Sequence, residues 1–161
     1  MAEQIPVPAD VAALQLLDRV DYQDAFSAMT AASRAPLEWA RLALEDAPAP
    51  LLAVVRPILM ALGLRVRAGE SRASTDRVLG WRILHSDEAH VVLGMDARFG
   101  APRIVFSAPP GRVVMKTLLQ FDQFGFGTVW AVVGGIHRAV ARNLVDRAAA
   151  AAGVTRTTDG P

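Results

Sequence analysis

Residues 80–121 read GWRILHSDEAHVVLGMDARFGAPRIVFSAPPGRVVMKTLLQF, and the texture of this stretch decides the fold. Trp81 to Ser86 is short and rich in β-formers, Asp87-Glu88 makes a turn, and His90 to Asp96 reads as a second strand. Arg98 to Pro102 turns again, Arg103 to Ala108 is a third strand, and Val113 to Phe121 is a long fourth. Pro109-Pro110-Gly111 between them is turn chemistry: proline presets φ and glycine accepts positive φ. Successive strands joined by short turns predict an antiparallel meander. The β-branched run Thr128 to Val133 follows a glycine-bearing break at Phe124 to Gly127 and predicts a fifth strand, which Gly134-Gly135 would end.

Outward from the meander, Ile136 to Ala152 predicts a long helix, with Ile136, Val140, Leu144 and Ala148 as an apolar stripe and Gly153 as its stop. Toward the N-terminus, Val20 to Met29 alternates in part and reads as an early strand or a turn entering one. Pro36 suits a first helical turn, where a missing N–H costs nothing, and Leu37, Ala40 and Leu44 follow at helical spacing. Pro48-Ala49-Pro50 breaks the chain before a second short helix from Pro50 to Leu62, kinked at Pro57 and capped by Gly63. Residues 65–79 are rich in Arg, Ser and Gly and read as a loop. Asp10 suits the start of a short helix carrying Val11, Leu14 and Leu17 on one face.

The pattern predicts an N-terminal arm over residues 1–19, one domain over 20–152 and a disordered tail over 153–161. The fold class is α+β: a curved antiparallel sheet with two short helices and a long C-terminal helix packed across it, the outline of a helix-grip, START-like domain. Such an outline leaves room for an apolar pocket between helix and sheet.

Composition narrows the function classes. The chain has 161 residues, 52% of them hydrophobic and 20% charged, which excludes a disordered chain. It has no cysteine, so disulfides, zinc–thiolate sites and cysteine nucleophiles are excluded. Sixteen of the 17 basic residues are arginine and only Lys116 is lysine, while 29 residues are alanine, a compositional bias rather than a nucleic-acid signature. Residues 1–50 carry eight acids and three arginines, net −5, and residues 51–161 carry eight acids and 14 bases, net +6. Two faces of one domain account for that asymmetry, and a basic surface for an anionic ligand is the sharper alternative. The arginine loop lacks interleaved aromatics, so nucleic-acid binding is not expected. The most apolar stretch, Leu51 to Leu64, contains Arg56 and Pro57 and falls short of the ~20 residues of a membrane span. No secretory signal opens the chain, and a cytoplasmic location is expected.

Five short stretches resemble the bacterial domain-of-unknown-function family 2867: Val20-Asp21-Tyr22-Gln23-Asp24-Ala25-Phe26, Leu79-Gly80-Trp81-Arg82-Ile83-Leu84, Val91-Val92-Leu93-Gly94-Met95-Asp96, Arg103-Ile104-Val105-Phe106 and Ile136-His137-Arg138-Ala139-Val140. Their order and spacing agree across residues 20 to 150. The resemblance implies a relation to START and polyketide-cyclase-like (SRPBCC-type) folds and brings no established activity with it. The family pattern carries a further acid and a histidine just after the position of Asp96. Here Ala97 and Phe99 occupy that stretch, and Ala101 stands where another acid is common, which moves weight toward binding.

Candidate residues for chemistry are few. His85 and His90 flank the Asp87-Glu88 turn, a solvated hairpin tip more simply than a metal site. His137 opens the predicted last helix, where a charged imidazole would oppose the positive helix end. Asp96 ends a strand, either as a carboxylate at a pocket mouth or as a turn residue bonding its own backbone. Arg82 and Tyr22 complete the catalytic candidates. Trp81, Met95, Phe106, Met115 and Trp130 are the candidate ligand-binding residues, with ordinary core as the competing reading, and strand parity is not decidable because both faces of several strands are apolar. No serine has a nucleophile-elbow context, Gly134-Gly135 carries no dinucleotide or phosphate motif, and neither a metal nor a cofactor is expected.

The leading expectation is therefore a module that binds a small hydrophobic organic molecule. The alternatives are an enzyme of the cyclase, isomerase or dehydratase type, in which Asp96, Arg82, Tyr22 or His137 polarises a substrate, and an accessory or oligomerising protein, with a homodimer as one form. A cavity in which Asp96 or His137 lies within hydrogen-bond reach of another polar side chain favours the enzyme.

Overall fold

The computed structural model describes residues 1–12, 14–53, 74–95, 97 and 99–154 of the chain. Asp96, Arg98, most of the expected second short helix and arginine loop, and most of the expected tail lie outside the described residues.

Seven strands form one curved antiparallel sheet: β1 (Glu3–Gln4), β2 (Tyr22–Met29), β3 (Arg77–Val78), β4 (Trp81–Ser86), β5 (His90–Gly94), β6 (Gly100–Ser107) and β7 (Arg112–Phe121), in the order β1-β2-β7-β6-β5-β4-β3. The meander β4 to β7 follows the expected order, and β7 then pairs back to β2 over its whole length, with Phe26 opposite Met115 and Asp24 opposite Thr117. The turns behave as their chemistry requires. Asp87 Oδ1 accepts from the backbone N–H groups of Ala89 (2.8 Å) and His90 (2.6 Å), which closes the β4–β5 hairpin. Gly100 is required by a close approach: a Cβ there would sit 1.8 Å from the Gln120 carbonyl oxygen on β7.

Three helices are fully described: α1 (Ala9–Ala12), α2 (Pro36–Leu44) and α3 (Phe126–Val154), and residues 49–53 are also helical. At the start of α2, Glu38 Oε2 accepts from the Ala35 N–H at 3.0 Å, and Pro36 occupies the first turn. Arg41 of α2 donates to the Ser74 carbonyl at 2.6 Å, which ties the helix to the segment leading into β3.

The expected fifth strand, Thr128 to Val133, is instead the beginning of α3, and Gly134-Gly135 lies inside that helix rather than ending a sheet. β-branched residues and a glycine pair argue locally against a helix, with each interior glycine costing about 1 kcal/mol relative to alanine. The helical spacing of Phe126, Trp130, Gly134, Ala141, Leu144, Val145, Ala148 and Ala152, all buried, shows what outweighs that cost. Most helical stability in a protein comes from packing an apolar face, not from propensity. His137 consequently lies about three turns inside α3, away from the positive helix end.

Register resolves the faces of the sheet. Phe26, Val91, Leu93, Ile104, Phe106, Val113 and Met115 face α2 and α3 and form the main core with Trp39, Ala40, Leu44 and Trp81. Val92, Val105 and Leu118 point the other way and are covered by Val11 of α1, with Leu14, Leu16 and Leu17 against them. The N-terminal segment is thus part of the packed structure: β1 extends the sheet edge along Phe26 and Ser27, and Ala2 and Val11 are buried. No helix among the described residues is long and apolar enough to cross a membrane.

Candidate functional site

The site forms where α3 crosses the ends of β2 and β7. Tyr22 and Asp24 are two residues apart on β2, so both side chains point to the helix face. Trp130 and His137 are seven residues apart on α3, two turns along the same side. The crossing brings these four together. The Tyr22 hydroxyl donates to Asp24 Oδ2 at 2.6 Å, and His137 Nε2 lies 3.2 Å from the same oxygen. The ring centroids of Tyr22 and Trp130 are 5.0 Å apart, those of Trp130 and His137 5.1 Å, and those of Tyr22 and His137 6.0 Å. Phe126 continues the cluster, stacked on Phe99 at 4.2 Å and edge-on to Phe121 at 5.1 Å. Gly134 lies beside the cluster: a Cβ there would make contact 3.4 Å from an Arg138 guanidinium nitrogen and 3.5 Å from Trp130 Nε1.

Burial is graded. The Asp24 side chain is 1% exposed and that of His137 is 19% exposed, so the carboxylate sits behind the imidazole. Burial pushes the Asp24 carboxyl upward, but the hydrogen bond and charge of His137, then Tyr22 and Thr117, outweigh it and hold the group below its ordinary 3.8. Tyr22 goes the other way. Burial, the hydrogen bond to Asp24 and the Asp24 charge push its phenol up to about 12, against a lowering contribution from Arg138. Tyr22 is therefore a proton donor that stays neutral, and Asp24 an ionised acceptor.

Trp130 Nε1 has no hydrogen-bond partner among the described residues, whereas Asp24 Oδ1, Thr117 Oγ1 and His137 Nε2 are enclosed together and interact with one another short of good hydrogen-bond geometry.

The candidate residues read from the sequence divide among several places. Tyr22 and His137 meet in the site. Arg82 does not: it is exposed on β4, on the opposite face from Asp24, and four strands from β2, about 19 Å at the usual strand spacing. Asp96 lies outside the described residues. Trp81, Phe106 and Met115 are buried in the main core, Trp130 belongs to the aromatic cluster of the site, and the half-buried Met95 packs against both. His85 and His90 have separate carboxylate partners, Asp87 at 2.8 Å and Asp10 at 2.7 Å. Among the described residues no three His, Asp or Glu side chains are grouped to hold a metal. Sequence reasoning missed Asp24, Thr117 and Arg138. The Tyr22-x-Asp24 alternation was a usable signal, whereas the Trp130–His137 spacing becomes visible only once residues 126–135 are read as helix.

Comparison of the chain with protein-family models and with curated proteins finds no match.

Proposed function

We propose that this cluster is a general acid–base site for a small, largely apolar organic substrate, with proton transfer of the isomerase, dehydratase or cyclase type. The observation that carries the reading is that Asp24 Oδ2 is shared by Tyr22 and His137, with the carboxylate enclosed and the imidazole at the accessible edge. A buried carboxylate beside an imidazole orients the ring, the usual way a histidine is positioned to take and return a proton. Arg138 supplies a cation for oxygen charge that develops on a carbonyl substrate, while Tyr22 spends its one hydroxyl proton holding Asp24 Oδ2 in place. The aromatic rings of Trp130, Phe126 and Phe99 provide the apolar wall.

The test is hydrogen–deuterium exchange α to a carbonyl. A panel of cyclic and aryl ketones incubated with the protein in D2O, followed by NMR, should reveal a compound whose α-protons exchange. His137→Gln and Asp24→Asn should each reduce the exchange by about 10²–10⁴-fold, the range of general acid–base catalysis. Perturbation of the Trp130 indole signal without any exchange would reduce the site to a binding site. Neither exchange nor binding across the panel would end the proposal.

A further inference from the structure

The other face of the sheet holds a second group of titratable side chains that the Asp24 site does not use. β7 alternates, so Thr117 faces α3 and Lys116 faces away. Lys116 is the only lysine in the chain and is 0% exposed. Over it lies the N-terminal segment, with Val11 packed among Val92, Val105 and Leu118.

One carboxylate reaches the amine. Asp10 Oδ2 is 3.4 Å and Oδ1 3.5 Å from Lys116 Nζ, longer than the ~2.7–2.9 Å of a strong charge-assisted hydrogen bond. The same Oδ2 is engaged at 2.7 Å by His90 Nε2. An ammonium has three donors to satisfy, and among the described residues this one has a single shared and distant acceptor, Asp10, amid apolar side chains. Burial pulls the Lys116 amine below its ordinary value by more than the charge and hydrogen bond of Asp10 raise it. Desolvation of this kind is how a lysine becomes a nucleophile.

We propose that Lys116 is a carbonyl-capturing amine, with Asp10 and His90 as its proton-transfer pair and the Val11 side chain as its cover, and that it takes an aldehyde or ketone with an apolar body. The Nζ lone pair forms a bond to the carbonyl carbon as the C=O π pair moves to oxygen, which takes a proton from the His90–Asp10 pair. The nitrogen proton returns to that pair, and loss of water from the carbinolamine leaves an imine. One amine and one carbonyl become one imine and one water, with no change of oxidation state. Val92, Val105 and Leu118 would hold the apolar body where Val11 now sits. An arginine, the residue used at 16 of the 17 basic positions, cannot form this bond.

Reductive trapping tests the proposal cleanly because the chain carries only two amines, Lys116 and the N-terminal group. The folded full-length protein is treated with hexanal and cyanoborohydride at neutral pH, and adducts are located by peptide mass spectrometry. The expected result is a hexyl adduct on Lys116, slower in His90→Gln. In Val11→Asp it should form about tenfold faster or more, because the opening free energy of the cover sets the exposed fraction. Circular dichroism of each variant confirms that the sheet is retained. Labelling of the N-terminal amine alone, or labelling of Lys116 only in denaturant, would overturn the proposal.

Discussion

The two faces of the central sheet solve opposite electrostatic problems close together: Asp24 on β2 stands opposite Thr117, the neighbour of Lys116 on β7. On the α3 side the enclosed charge is a carboxylate, Asp24, whose partners Tyr22 and His137 stand closer to solvent. On the other side the enclosed group is an amine, Lys116, with its side chain 1% exposed, while its partner Asp10 is 47% exposed. Desolvation disfavours the charged form in both places. Asp24 has a hydrogen bond of 2.6 Å and an imidazole at 3.2 Å, and its charge is retained. Lys116 has only contacts of 3.4 and 3.5 Å to a carboxylate already held by His90, and burial prevails. What separates them is the closeness and number of partners, not the depth of burial.

The largest expected effect breaks the pairing on the lysine side. Asp10→Ala leaves Lys116 enclosed without a counter-charge and should cost about 1–3 kcal/mol, toward the low end because Asp10 is half solvated. Lys116→Met, which replaces the amine with an apolar chain of similar length, should leave stability unchanged or raise it by about 1–4 kcal/mol. Urea midpoints measure both. Equal destabilisation by the two changes would show that Lys116 is as well paired as Asp24.

On the carboxylate side, Asp24→Asn should cost about 1–2 kcal/mol near neutral pH. The folded Asp24 titrates below 3.8, so its stabilisation is complete above that value and is lost as pH falls through the folded value. Urea midpoints of wild type and Asp24→Asn should therefore converge on acidification. A gap that stays constant to low pH would show that charge plays no part.

Tyr22 sharpens the same point spectroscopically, because it is the only tyrosine. Phenolate absorbance should have its midpoint at about 12 in the folded protein. The raised value contributes stability below pH 10 that is lost as pH rises from about 10 to about 12. In Asp24→Asn the midpoint should fall part of the way back, since the neighbouring charge is gone while burial remains.

The smallest effect concerns the helix that closes the Asp24 side. Gly135→Ala meets nothing within 4 Å and should stabilise by about 0.5–1 kcal/mol through helix propensity alone. Gly134→Ala should gain less, because its methyl presses toward Arg138 and Trp130. Thermal midpoints distinguish the two, and equal gains would show that Gly134 is not needed to seat Trp130.

Much of the architecture is legible in the chain because it follows from local rules. Alternation between turn signals marks β4 to β7, and Pro36 with the following apolar spacing marks α2. The first half of α3 was misread for a physical reason: Thr128, Val129, Val132 and Val133 favour strands, Gly134-Gly135 favours a break, and only burial of Phe126 and Trp130 against the sheet overrides them. Of the candidate site, Tyr22 and His137 were legible as residue types suited to chemistry. Asp24 was legible only as a strand neighbour of Tyr22, because one acid among 16 carries no sign of its own burial.

By itself, then, the sequence determined a cysteine-free α+β domain with an antiparallel meander, a terminal helix and few groups able to do chemistry. The tertiary structure decided which faces of the strands are covered and by what. It placed Asp24 between Tyr22 and His137, and Lys116 beneath the segment that carries Asp10. Strand alternation fixes which residues share a side, but register and helix crossing set distances between residues as much as 113 positions apart, and those distances govern how strongly each buried charge is held.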